Sequence, residues 1–251
     1  MENNKSKIFN LLLIDESGSM STLREQTISA FNEIVQGMQS LEKDLQGQSQ
    51  FVSMYSFRNQ DVKTLHDLAQ IRSIEPLSKA SYAPDGNTPL YDAIGKSVTL
   101  LEKQIHAAAR IEGPSFKYQV LVTILTDGFE NSSCVYSKAQ IRSLIDRLAE
   151  GNWTFTYIGA DHDVVMQSKD LGISDIYEFS KDEQGLKMML EKEKMARIHF
   201  NQQIFENNEK PRTSFFRDEP QSGEQQPDSS VTSNTATRQE KTDFLKRIFG
   251  R

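Results

Sequence analysis

The feature that most constrains this chain is an apolar run, Leu11-Leu12-Leu13-Ile14, that stops at Asp15-Glu16-Ser17-Gly18-Ser19 and gives way to residues with helical spacing. Residues 8–14 are largely apolar rather than alternately so, which is the pattern of a strand covered on both faces. Between residues 23 and 45, Ile28, Phe31, Ile34, Val35, Met38, Leu41 and Leu45 recur close to a 3.6-residue period, which predicts a long amphipathic helix. A strand, a Gly/Ser-rich turn and a helix in that order form the opening unit of an α/β fold.

The same alternation continues. Residues 51–57 predict a second strand and 61–68 a third, joined by a tight turn at Arg58-Asn59-Gln60, so this pair is expected to be antiparallel. Residues 76–89 have no repeating pattern and contain Pro84-Asp85-Gly86-Asn87, a loop. Pro89 suits the first position of the next helix, with Thr88 as its cap, and Leu90, Ala93, Ile94, Val98, Leu101 and Ile105 form its stripe. Residues 116–125 hold the strongest central-strand signal, ending at Thr126-Asp127-Gly128. A helix at about 137–150, a strand at 153–158, a helix at 164–171, a short strand at 176–179 and a helix from 183 to about 205 follow. The expected fold is α/β, a doubly wound and mostly parallel six-stranded sheet with one antiparallel edge strand and helices on both faces.

Composition narrows the function. The formal charge of -6 gives no reason to expect nucleic acid as a partner. One cysteine, Cys134, excludes an internal disulfide framework, and with four scattered histidines it excludes a thiolate or histidine-rich zinc cage. The N-terminal residues are polar and residues 8–14 are too short for a spanning helix, so neither a signal peptide nor a transmembrane segment is expected. The cytoplasm is the expected location.

Four regions are expected: a flexible terminus over 1–7, a domain over 8–207, a disordered linker over 208–240 and a short basic amphipathic segment over 241–251. The linker is dense in Pro, Ser, Thr, Gln and Asn. In the last segment Phe244, Leu245, Ile248 and Phe249 are interleaved with Lys241, Lys246, Arg247 and Arg251. Three readings stay open for it: a helix docked on its own domain, a recognition peptide for a second protein, or weak membrane-surface contact.

The chemistry concentrates in three oxygen-rich turns. Asp15, Ser17 and Ser19 alternate after the first strand, Thr88 lies in Gly86-Asn87-Thr88-Pro89, and Asp127 ends the strongest strand. In an open α/β sheet the crevice outside the carboxyl ends of the strands is where ligands bind, so these turns are expected to converge. Two carboxylates and three hydroxyls suit a hard cation, magnesium before manganese or calcium. The plainer alternative is a capped turn, with Ser19 or Ser21 capping the helix and Asp15 accepting backbone hydrogen bonds.

Asp15-Glu16-Ser17-Gly18-Ser19, Thr88 and Asp127 resemble the metal-ion-dependent adhesion site of von Willebrand factor type A domains, in the family's order, and the resemblance covers residues 8 to 205. It implies that Ser17 and Ser19 bind the metal directly, that Thr88 binds directly or through water, and that Asp15 and Asp127 act through waters. It also implies that a partner's aspartate or glutamate completes the shell. Function is then expected to be metal-dependent protein recognition rather than catalysis, as in a scaffold of a stress-response or ATPase-associated assembly. The alternative is a magnesium-dependent phosphoryl hydrolase with Asp15 as nucleophile. Glu16 is expected to be a solvated acid and Cys134 a small apolar filler. His66, His106 and His199 are read as surface or half-buried residues, and Asp161-His162-Asp163 as a plain loop with helix-capping acids, the alternative being a second ion site.

Overall fold

The computed structural model describes residues 6–160 and 162–216, with the backbone alone over 162–165. The chain divides at residue 217. The expected linker and terminal segment therefore fall largely outside the described residues, and Phe244, Leu245, Ile248 and Phe249 lie wholly outside them.

Six strands form one sheet: β1 (Ser6–Asp15), β2 (Gln48–Arg58), β3 (Asp61–Gln70), β4 (Tyr118–Thr126), β5 (Trp153–Gly159) and β6 (Asp175–Glu178), in the order β3-β2-β1-β4-β5-β6. Every pairing is parallel except β2 with β3, which is antiparallel at the sheet edge. The helices are α1 (Arg24–Asp44), α2 (Leu90–Glu112), α3 (Lys138–Ala149), α4 (His162–Asp170) and α5 (Glu183–Asn207). The doubly wound, mostly parallel sheet expected from the sequence is the fold observed.

The largely apolar run of β1 now has its reason. Ile8, Leu12 and Ile14 pack on the face covered by residues of α1 and α5, whereas Phe9, Leu11 and Leu13 pack on the face covered by α2 and α3. Each such side chain stabilises the fold by about 1.5–3 kcal/mol relative to exposure. Both layers converge on β1, which pairs with β2 on one side and β4 on the other.

Beneath α5 the packing is polar. Arg197 is 2% exposed and donates to Glu193 Oε1 from Nε at 2.7 Å, to Asn10 Oδ1 at 2.7 Å and to Thr123 Oγ1 at 3.1 Å. One turn further, Asn201 Oδ1 accepts from Gln50 at 2.7 Å, and Gln48 donates to the Asn201 carbonyl at 2.7 Å.

The packed part of the chain extends beyond the boundary expected at 207. Asn208 ends α5 in the left-handed conformation at φ 55°, and residues 209–216 stay bonded to the domain, with the Phe215 amide donating to Asp175 Oδ1 at 2.7 Å. Lys210 donates to the carbonyls of Ala149 and Trp153, both at 2.7 Å. Phe215 and Phe216 are buried, with Phe215 edge-on to Phe200 at 5.8 Å and Phe216 tilted on Tyr177 at 5.6 Å.

Candidate functional site

Because β1 and β4 are adjacent and parallel, with Ile14 paired to Leu125, the turns that leave them emerge at the same end. Asp15 is buried, and its Oδ1 accepts the Ser17 amide at 2.8 Å while Oδ2 accepts the Thr126 hydroxyl at 2.5 Å. Ser17 and Ser19 hydroxyls lie 3.1 Å apart, and Ser19 donates to Asp127 Oδ1 at 2.5 Å. Thr88 joins them: a methyl placed on Gly128 would stand 3.1 Å from Thr88 Oγ1, 3.4 Å from Ser19 Oγ and 3.6 Å from Asp15 Oδ2. All five residues named from the sequence are thus brought together.

Thr88 does not cap α2 as expected. Its backbone is held instead, with the Thr88 amide donating to Asn131 Oδ1 at 2.8 Å and its carbonyl accepting from the Asn131 amide at 3.1 Å. The first turn of α2 is capped from another loop: Glu130 accepts the Tyr91 amide at 2.9 Å, and the Ser133 hydroxyl accepts the Asp92 amide at 2.9 Å. In return the buried Asp92 carboxylate accepts the amides of Cys134, Val135 and Tyr136 at 3.1, 3.0 and 2.8 Å. Glu130 accepts those of Ser132 and Ser133 at 2.9 and 2.7 Å. The loop over 128–136 is therefore pinned from both sides, which leaves Phe129 50% and Val135 61% exposed.

Glu16 is buried rather than solvated. Its carboxylate turns away from the site and accepts the Ala83 amide at 2.6 Å, which ties the first turn to the loop before α2. Tyr82 adds a second tie by donating to the Asp15 carbonyl at 2.7 Å. The glycine that this junction needs is Gly86 at φ 73°, where a Cβ would lie 1.9 Å from Asn59 Oδ1, whereas Gly18 has no positive φ and donates to the Gly86 carbonyl at 2.9 Å. Cys134 is exposed, not a core filler.

Burial raises the Asp15 pKa from 3.8 to about 6, against the lowering effect of its Thr126 and Ser17 hydrogen bonds. Asp127 Oδ2 faces Lys181, whose Nζ lies 3.4 Å away. Sequence reasoning missed Thr126, Lys181, Asp92 and Glu130. Thr126 adjoins Asp127 and carried a visible signal; the other three gain their roles only through contacts distant in sequence.

The donor set does not fit the metal centre implied by the resemblance. Among the described residues no group of three or more His, Cys, Asp or Glu side chains could hold a metal ion. The carboxylates that reach the site are those of Asp15 and Asp127, and their oxygens face donors of the chain itself. The expected complete adhesion site is corrected to a self-bonded cluster of Asp15, Ser17, Ser19, Thr88 and Asp127. With it go magnesium, manganese or calcium as cofactor, the metal-bridged partner carboxylate, and the magnesium-dependent phosphoryl hydrolase.

Asp161 and the side chains of His162 and Asp163 lie outside the described residues. His66 is half-buried, with Nε2 3.3 Å from the Glu75 carbonyl, while His106 is exposed and His199 half-buried. Among the described residues no helix is long and apolar enough to cross a membrane.

Solved structures to which this chain is similar include proximal thread matrix protein 1 from the mussel byssus, at 14% identity and a TM-score of 0.46, covering 78% of this chain and 46% of that one. The chain thus spans about half the length of that protein. The SpRpn10 VWA domain matches at 12% identity and a TM-score of 0.48, covering 72% of this chain and 93% of that one. The pilus adhesin SpaC from Lactobacillus rhamnosus GG matches at 11% identity and a TM-score of 0.50, covering 78% and 30%. No curated protein matches in sequence. The sequence profile of the von Willebrand factor type A domain matches residues 11–209, and the chain belongs to that family.

Proposed function

We propose that this chain is a protein-binding module rather than an enzyme, and that it recognises its partner through the crest of loops at the carboxyl ends of its strands. The observation that carries the reading is the loop over 128–136, which exposes Phe129 and Val135 while Asp92 and Glu130 hold its backbone. Aromatic side chains on a preorganised surface are the usual anchors of protein interfaces, because little freedom remains to be lost on binding. The carboxylates at the centre are occupied by internal donors, which supports positioning over catalysis. We place the protein in the cytoplasm, a reading supported by its single, unpaired cysteine.

The test is site-specific photocrosslinking in cells, with the photoreactive residue at position 129 and, as a control, at the 86% exposed Ile111. A discrete protein adduct from position 129 alone, lost on Val135→Ser, supports the crest as the contact surface. Equal labelling from both positions rejects it.

A further inference from the structure

The cluster at the carboxyl ends already contains a positive charge of its own. Lys181 follows β6 and directly precedes Asp182, the cap of α5, whose side chain accepts the Gly185 amide at 2.6 Å. On the other side Phe179 is buried, and its amide donates to the Gly159 carbonyl at 3.0 Å. The segment carrying Lys181 is therefore anchored at both ends, so little backbone freedom is lost in holding its ammonium over the crest.

That ammonium lies 3.4 Å from Asp127 Oδ2 and donates to the Asp127 carbonyl at 3.4 Å. The Asp127 side chain is 1% exposed and the lysine side chain 38%, so the acid is out of water while its counter-charge reaches it from the rim. The other Asp127 oxygen receives the Ser19 hydroxyl. A lysine just before a helix N-terminus stands at the unfavourable end of the helix dipole, and pairing with a buried carboxylate offsets that placement.

We propose that Lys181 is the resident cation of this site: a tethered ammonium that neutralises Asp127 and holds the crest in place without a metal ion. Lys181 is a positioning residue, acting through Asp127 on Ser19 and the first turn.

Thermal unfolding of the full chain tests this in a double-mutant cycle, with Lys181→Met, Lys181→Arg and Asp127→Asn each measured in EDTA and in magnesium chloride. The wild-type midpoint is expected to be the same in both solutions. Lys181→Met lowers it by about 2–4 °C, Lys181→Arg restores most of the loss, and Lys181→Met has no further effect once Asp127 is Asn. A wild-type midpoint that rises in magnesium overturns the proposal. So does a Lys181→Met loss of equal size in both Asp127 backgrounds, which would make the lysine a packing residue, or no loss in either.

Discussion

Asp15 sits at the end of β1 with its carboxyl shifted upward by burial, and the sign of the consequence follows from proton counting. Unfolded, the group releases its proton near pH 3.8; folded, it keeps it to about pH 6. Between these values the folded state binds more protons, so stability falls as pH rises, and the full cost of the buried charge is present above about pH 6. The size is about 3 kcal/mol, because each tenfold change in proton affinity between the two states is worth roughly 1.36 kcal/mol. Asp15→Asn cannot ionise, so urea unfolding is expected to show wild type losing stability relative to the variant between pH 4 and 6, with a constant difference above pH 7. Gly86 gives a second prediction at this scale. Its φ of 73° and the nearness of Asn59 Oδ1 make Gly86→Ala strained, and a loss of about 1–3 kcal/mol is expected in the same assay. Convergence of Asp15, Ser17, Ser19, Thr88 and Asp127 was legible in the sequence because each ends a strand or precedes a helix. The hydrogen bonds that consume their oxygens were not, since Thr126 and Lys181 reach them only through the assembled sheet.

Among the elements, α5 departs furthest from what its sequence suggests. Helical spacing finds Leu186, Met189, Ala196, Phe200 and Ile204 on its buried side, but Glu193, Arg197 and Asn201 are buried too. Polar residues at that spacing read as a solvated face until the sheet supplies Asn10, Gln50 and Thr123 as partners. The strands were easier, because a run such as Leu11 to Ile14 has only one environment that suits it. The buried pair has an asymmetric energetic consequence: Glu193 Oε2 has no hydrogen-bond partner, so part of the ionic gain is offset by desolvation. Glu193→Leu alone strands the Arg197 charge and is expected to cost about 3–5 kcal/mol. Glu193→Leu combined with Arg197→Met removes both charges and is expected to cost less than the single variant. Chemical denaturation of the single and double variants checks that order. A double variant weaker than the single one would mean that the links from Arg197 to Asn10 and Thr123 outweigh the ion pair.

At the scale of the molecule, the boundary of the folded unit lies beyond the last helix. The segment over 209–216 carries polar residues and a proline, and such a composition reads as the start of a linker. Its two consecutive phenylalanines decide otherwise: Phe215 meets Phe200 on α5, Phe216 meets Tyr177 on β6, and the two rings stand edge to face at 4.9 Å. They join the core on the α1 and α5 face, near an edge strand only four residues long. Truncating one buried Phe to Ala costs about 3–5 kcal/mol. Because the rings touch, the two losses are expected not to add, and Phe215→Ala with Phe216→Ala should fall short of the sum of the single variants. A chain ended after Asn208 also loses the Lys210 bonds to Ala149 and Trp153, so it should unfold at a lower temperature than the double variant. Calorimetry of these four variants beside the wild type gives the order. If the shortened chain instead melts with the wild type, the phenylalanines only cover a core already sufficient without them, and the folded unit ends with α5.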